Sequence, residues 1–431
     1  MKLWDKGAPI DALMQEFTVG ADRDMDVRLA RWDVVGNIAH ASMLVSVGLL
    51  TKDEGDTLVA ELGDMLESID THGFVIDAGM EDVHSQVEYL LTQKLGEVGK
   101  KIHTGRSRND QVLLDIKLWL RHELRGIRQQ VLDLASTLLT KAERHIDVLL
   151  PGYTHYQVAM PSSFGLWFGG HAEALLEDVR VLDMAIDAAN ANPLGSAAGY
   201  GSSFPLDREL VTRALNFQRM HVTSTFAQQS RGRTERLAAV AIAQVASTLA
   251  RYATDVVHYM SQNFGFVTLP VEFTTGSSIM PHKKNPDIFE VLRARCNRLQ
   301  ALPVEIGYVT TNLPSGYHRD LQFVKDRIVP GIDEVSLCLR IADHVSPHVQ
   351  PVDDIMSADL YRYAFTVDRV NDLVVSGMSF RDAYRTIGAE VENGTFTAPS
   401  EPVASTHIGS IGNPGLGILR ERLQQHRSTR V

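Results

Sequence analysis

The chain has 431 residues, 44% hydrophobic and 22% charged, a balance that supports a large packed core and two or three domains. Its formal net charge is -11 and its pI is near 5.8, so nucleic acid and anionic membrane surfaces repel it and neither is an expected partner. Cys296 and Cys338 provide no disulfide framework. The opening MKLWDKGAPIDALMQEF has no apolar run of signal-peptide length, and no window of about twenty residues is free of charge, so a cytoplasmic protein that spans no membrane is expected.

In chain order, the first conspicuous segment is HTGRSRND at 103–110, with Asn109 or Asp110 placed to cap the helix that follows. Leu113, Ile116, Leu120, Leu124, Ile127, Val131, Leu134 and Leu138 recur every three or four residues. This is one stripe on a long helix of about 40 Å. PGYTHYQ at 151–157 reads as a turn, and a further helix runs over 163–189. The glycine-rich GSAAGYGSS at 195–203 follows no strand, so it reads as a flexible loop beside a site rather than a phosphate cradle. A helix over 234–264 is apolar nearly all round and rich in Ala, Ser and Thr, which buries it among close neighbours. TTGSSIMPHKKNPD at 274–287 is a loop, followed by helices over 287–309 and 329–342. After 393 the chain turns irregular before a short final helix. Few runs alternate as strands do. The class is therefore all-α, and helices this long call for an oligomeric bundle to cover their apolar surface.

Three of the polar segments can carry chemistry. In the 274–287 loop, Gly276 frees the backbone beside Ser277 and Ser278, and Lys283 and Lys284 add two positive charges. Asn285 as N-cap and Pro286 at the first helical position would then make a helix start beside two lysines, which is an anion site suited to carboxylates. In HTGRSRND, Arg106 and Arg108 can grip carboxylates through paired hydrogen bonds, with Thr104, Ser107 and Asn109 completing a cage. His155, between Thr154 and Tyr156, is suited to proton transfer near neutral pH, although a lone histidine is more often structural. None of the sixteen histidines shows metal-ligand spacing and no cysteine pairs with one, so no metal is expected.

GSSIMPHKKNP resembles the signature of the fumarase/aspartase superfamily, which runs Gly-Ser-Ser-x-Met-Pro-x-Lys-x-Asn-Pro. HTGRSRNDQ, PGYTHYQ, the double lysine before Asn-Pro-Asp, and the run Glu81, Asp82, Val83, His84 resemble the argininosuccinate lyase family in particular. The similarity extends in order from Phe17 to Arg381. It implies three helical domains, 1–110, 111–355 and 356–431, the middle one a long-helix bundle from which four chains build a twenty-helix core. Each active site would draw segments from three chains of that homotetramer. The implied reaction is β-elimination of argininosuccinate, or a close derivative, to arginine and fumarate without metal or organic cofactor. Ser277 corresponds to the serine that takes the proton beside a carboxylate, His155 to the histidine of the second proton role, and Glu290 to the glutamate paired with it. Which of Ser277 and His155 handles which proton stays open. Lys283 and the loop amides would meet the dianion as it forms and favour a serine alkoxide. Arg108, Asn109, Thr154, Asn285, Tyr317, Gln322, Lys325 and His84 match substrate-binding positions.

The chain departs from the family pattern in several places. His282 replaces a usual Gln, His318-Arg319 an Asn-Lys, Phe323-Val324 a Glu-Asp, and Gly20 a substrate-binding serine. A Ser-x-Arg-Asp stretch becomes Ser230-Arg231-Gly232-Arg233. These changes spare the fumarate-forming end and fall partly near the arginine end, so an arginine half bound differently, with a modified α-amino group, is one expectation. Another fumarate-releasing lyase, such as an adenylosuccinate lyase, is the nearest alternative. A non-catalytic scaffold like the lens crystallins related to the family is the alternative from a different class.

Overall fold

The computed structural model describes residues 12–20, 22–77, 79–399 and 405–429. Most of the start of the chain and part of the Gly/Pro-rich tail read above therefore lie outside the described residues. Helices dominate, as the periodicity requires. The N-terminal layer holds α1 (Ala30–Ser46), α2 (Lys52–His72) and α3 (Val83–Leu95). Thr51 and Glu54 form a capping box that starts α2. The bundle follows: α4 (Arg108–Arg144), α5 (Phe164–Ala189), α6 (Arg233–Tyr259), α7 (Asp287–Leu299), α8 (Leu302–Val309) and α9 (Lys325–Val345). The last part carries α10 (Thr366–Val375), α11 (Phe380–Glu392) and α12 (Leu416–Ser428).

Helix α4 is the spine. All eight residues of its predicted stripe are buried, none above 2% exposure, and burying each such side chain stabilises the fold by roughly 1.5–3 kcal/mol. Its 37 residues span about 55 Å, longer than the stripe alone implies, because the helix begins at Arg108 within HTGRSRND. It packs on α5, α9, α12 and α1, while α6 packs on α5, α7, α8 and α9. The stretch Ser224–Tyr259 is long and apolar enough to cross a membrane by length and composition, but 61% of that window is buried inside the protein, as in a core helix. Helix α6 is not closed on every side, however: Arg236, Val240, Gln244, Ser247 and Arg251 form an exposed stripe within one chain.

Four further details of these elements differ from the sequence reading. First, the 151–157 segment belongs to a β-hairpin, β1 (Leu149–Thr154) with β2 (Gln157–Ser163), joined by the two-residue loop His155-Tyr156. Second, the helix expected over 287–309 is broken at Gln300 and Ala301, because Pro303 sits in the first turn of α8. Third, α4 is capped by Ser107 rather than by Asn109 or Asp110, and Asp110 is its capping-box partner. Fourth, α9 starts at Lys325, a turn before the expected position, and runs through Pro330. Besides the hairpin, the described strands form only two short two-residue ladders. Cys296 on α7 and Cys338 on α9 are free and buried.

Candidate active site

A cavity of about 250 Å³ opens where α3, α4, the start of α6 and the 317–325 segment meet. Its lining includes six of the residues singled out in the sequence: His84, Arg108, Asn109, Tyr317, Gln322 and Lys325. Local structure explains the convergence. Asp82 caps α3 by accepting from the Ser85 amide at 2.8 Å, which places His84 in its first turn. Ser107 caps α4, so Arg108 and Asn109 occupy its first two positions and face the same space. Arg108 Nη1 lies 3.2 Å from Asp82 and 3.5 Å from Glu81, and its Nη2 donates to Ser85 Oγ at 2.9 Å. Gln322 donates to the Thr18 carbonyl at 3.0 Å.

Lys325, at the first position of α9, is 4% exposed and pairs with Asp22 at 2.7 Å and with Asp26. Burial works to lower its pKa, but the two carboxylates prevail and hold it above the ordinary lysine value. Burial also pushes Asp22 up to about 6 despite Lys325.

Beneath the cavity, His84 Nδ1 donates to Asp33 Oδ1 at 3.0 Å and lies 3.5 Å from Asp115 Oδ2. Asp33 also accepts from Gln111 at 2.6 Å and Asn37 at 2.9 Å. Burial tends to lower the imidazole, but Asp33, Asp115 and Asp82 overcome it and raise it to about 9. Asp33, His84 and Asp115 have the atom spacing of a metal site. The donor set fits poorly: the imidazole nitrogen facing the carboxylates carries the proton, and the Arg106 charge acts on both acids. The group reads as a buried ion network.

The other predicted residues lie on separate surface segments. His155 and Tyr156 form the hairpin tip with φ of 53° and 58°, both positive, as a type I′ turn requires. A backbone of this kind costs a non-glycine residue of order 1 kcal/mol or more, which is typical of functional positions. Thr154 and His155 are exposed. The Ser277 loop is closed at its neck by paired backbone hydrogen bonds between Thr275 and Asn285, 3.2 and 2.8 Å. Inside it, Ser277 Oγ accepts from the amides of Ile279 at 3.3 Å and Met280 at 3.1 Å. Lys283 and Glu290 are exposed. Asn285 does not cap α7: its amide turns back to Thr275 Oγ1 at 3.4 Å and the Gly276 carbonyl at 3.3 Å, and Pro286 takes the capping position. Asp287 and Glu290 already complement that helix end. Gly20 ends the helix Ala12–Val19 with φ 49° and does not line the cavity. The loop at 195–203 is tied to the start of α4: its amides at Gly195 and Ala197 donate to Asp110 at 3.0 and 2.7 Å.

Sequence reasoning missed Asp22, Asp26, Asp33 and Asp115 altogether, and it noted Arg231 and Arg319 only as departures. Asp22 and Asp26 sit on a short five-residue helix, Asp33 on α1 and Asp115 on α4, with no motif around them, so only the fold reveals them.

A family model described as "Lyase" matches residues 5–301. A protein named argininosuccinate lyase from Parabacteroides distasonis is 52% identical over 96% of this chain and 92% of its own length. One of the same name from Stenotrophomonas maltophilia is 39% identical over 98% of both. The chain belongs to the argininosuccinate lyase family of the fumarase/aspartase superfamily. It is an enzyme of the lyase type. Solved structures agree on the fold: an EDDS lyase in complex with formate has a TM-score of 0.81 at 21% identity, covering 98% of this chain and 92% of that one. A class II fumarase from Schistosoma mansoni has a TM-score of 0.69 at 15% identity, covering 86% and 88%. The largely helical architecture is thus that of the superfamily.

Proposed function

We propose that the chain cleaves the C–N bond of argininosuccinate, or of a close derivative altered at its arginine half, by β-elimination to fumarate and arginine or that derivative. The observation that carries the reading is the convergence of Arg108, Asn109, Tyr317, Gln322, Lys325 and His84 on one cavity in a chain with the relatives just described. In this reading Ser277 and His155 share the two proton transfers, and Glu290 orients the imidazole. Lys283 meets the charge that builds on the carboxylate, while Thr154 and Asn285 hold the substrate.

The sites are shared in a cytoplasmic homotetramer. Two features support this. His155, Ser277, Lys283 and Glu290 sit on exposed segments away from the cavity of their own chain, and the bundle shows apolar surface: Val291 at 52%, Val304 at 55%, Tyr308 at 78% and Leu337 at 40% exposure. Neighbouring chains covering that surface would bring tips and loops to the cavities. The reaction as proposed needs no metal or organic cofactor. The test mixes purified protein with argininosuccinate, its N-acyl derivatives and adenylosuccinate, and follows fumarate by ultraviolet absorbance. Fumarate from adenylosuccinate alone would transfer the chain to that alternative; no fumarate from any of them would end the proposal.

A further inference from the structure

Arg231 is the cavity residue that the family pattern leaves without a task. It immediately precedes Gly232, the residue that opens α6 with φ 78°. A Cβ at Gly232 would stand 2.5 Å from Thr310 Cγ2, so this turn belongs to glycine. The turn sets Arg231 into the cavity wall at 5% exposure. Its Nε lies 3.0 Å from Glu235 Oε1, and its Nη2 donates to the Leu321 carbonyl at 3.3 Å. Among the described residues, Nη1 is buried and meets no acceptor. A charged donor in that state costs about 1–3 kcal/mol or more, unless something that binds there supplies the acceptor. The other cations of the wall are engaged: Arg108 by Asp82 and Ser85, Lys325 by Asp22 and Asp26, and Arg319 near Glu81 at 3.5 Å.

We propose that Arg231 Nη1 binds a carboxylate on the amino-acid half of the substrate, the half that departs from fumarate. The inference rests on the elimination reading above, in which the Ser277 loop takes the fumarate-forming end and leaves this cavity for the other half. Two sources share the chemistry: the α-carboxylate itself, or a carboxylate on an acyl group carried by the α-nitrogen. A guanidinium N–H on a carboxylate is a charge-assisted bond, and its loss is read as a roughly ten- to hundred-fold weakening.

The test compares the parent with R231K, which keeps a cation beside Glu235 but removes the guanidinium fork, and with R231Q/E235Q, which removes both buried charges so that neither is stranded. Each is assayed for kcat and KM on argininosuccinate, on its N-acetyl derivative and on its N-succinyl derivative. A ten-fold or larger rise in KM for plain argininosuccinate, with kcat within about three-fold, supports the α-carboxylate. Unchanged KM for the plain and acetyl compounds, with a ten-fold loss confined to the succinyl compound, supports the acyl carboxylate. If either folded variant moves KM less than two-fold on all three compounds, or changes kcat alone, the inference is overturned while the elimination reading stands. Fumarate from none of the three with the parent protein sinks both.

Discussion

At the scale of single residues, His84 is a cavity wall and a buried cation at once. Its ordinary value near 6.5 is raised to about 9, because Asp33, Asp115 and Asp82 outweigh burial. For a base whose folded pKa is raised, the stabilisation is fully present below pH 6.5 and is lost as pH rises through 9. The contribution is about 3 kcal/mol at most. The denaturation midpoint of the parent protein should therefore fall between pH 7 and pH 10, and His84→Gln should show a flatter fall over that range; equal slopes would remove His84 as the cause. Ser277 raises a different question, since its hydroxyl already accepts two loop amides and those donors would stabilise an alkoxide. Ser277→Ala should lower kcat about a hundred- to ten-thousand-fold while substrate still binds, measured as fumarate release beside equilibrium binding. Cavity residues were legible in the sequence where a motif carried them, as with Arg108 and Asn109. Arg231 stayed silent because one arginine between a serine and a glycine gives no sign of where a positive-φ turn will send it.

At the scale of elements, the length and facing of α4 were readable because a 3.6-residue period over eight apolar positions admits no other structure. Its start was not, since Ser107, Asn109 and Asp110 are all good caps and only the turn at Gly105, φ 77°, decides among them. The break between α7 and α8 was signalled by Pro303, and the hairpin at 149–163 was hidden because neither strand alternates cleanly in burial. Asp110 is where one helix start organises a second element. It accepts from the amides of Ser107, Gly195 and Ala197 at 2.9, 3.0 and 2.7 Å, although burial pushes its carboxyl up to about 6. Ser107→Ala should cost about 1 kcal/mol. Asp110→Ala, which strands three donors, should cost about 2–4 kcal/mol and raise KM as well, because the 195–203 loop loses its anchor. Urea denaturation and steady-state kinetics on the two variants would show the difference, and equal losses would reduce Asp110 to an ordinary capping partner.

At the scale of the whole molecule, one chain holds a cavity and, elsewhere on its surface, the groups proposed to do the chemistry beside it. In the proposed tetramer neighbouring chains would cover Val291 and Leu337, which one chain leaves 52% and 40% exposed, and light scattering should return four chains. If the sites are shared, two inactive proteins can repair one another. Ser277→Ala leaves an intact hairpin tip, and His155→Asn leaves an intact serine loop. Mixed, partly unfolded and reassembled, their hybrid tetramers contain some sites in which the good serine and the good histidine come from different chains. Random mixing of equal amounts places both wild-type groups together in about a quarter of such sites. Activity near a quarter of the parent's, absent from either variant handled alone, is therefore expected from the mixture. No recovery from tetramers shown by mass to be hybrid would mean that Ser277 and His155 act from the same chain.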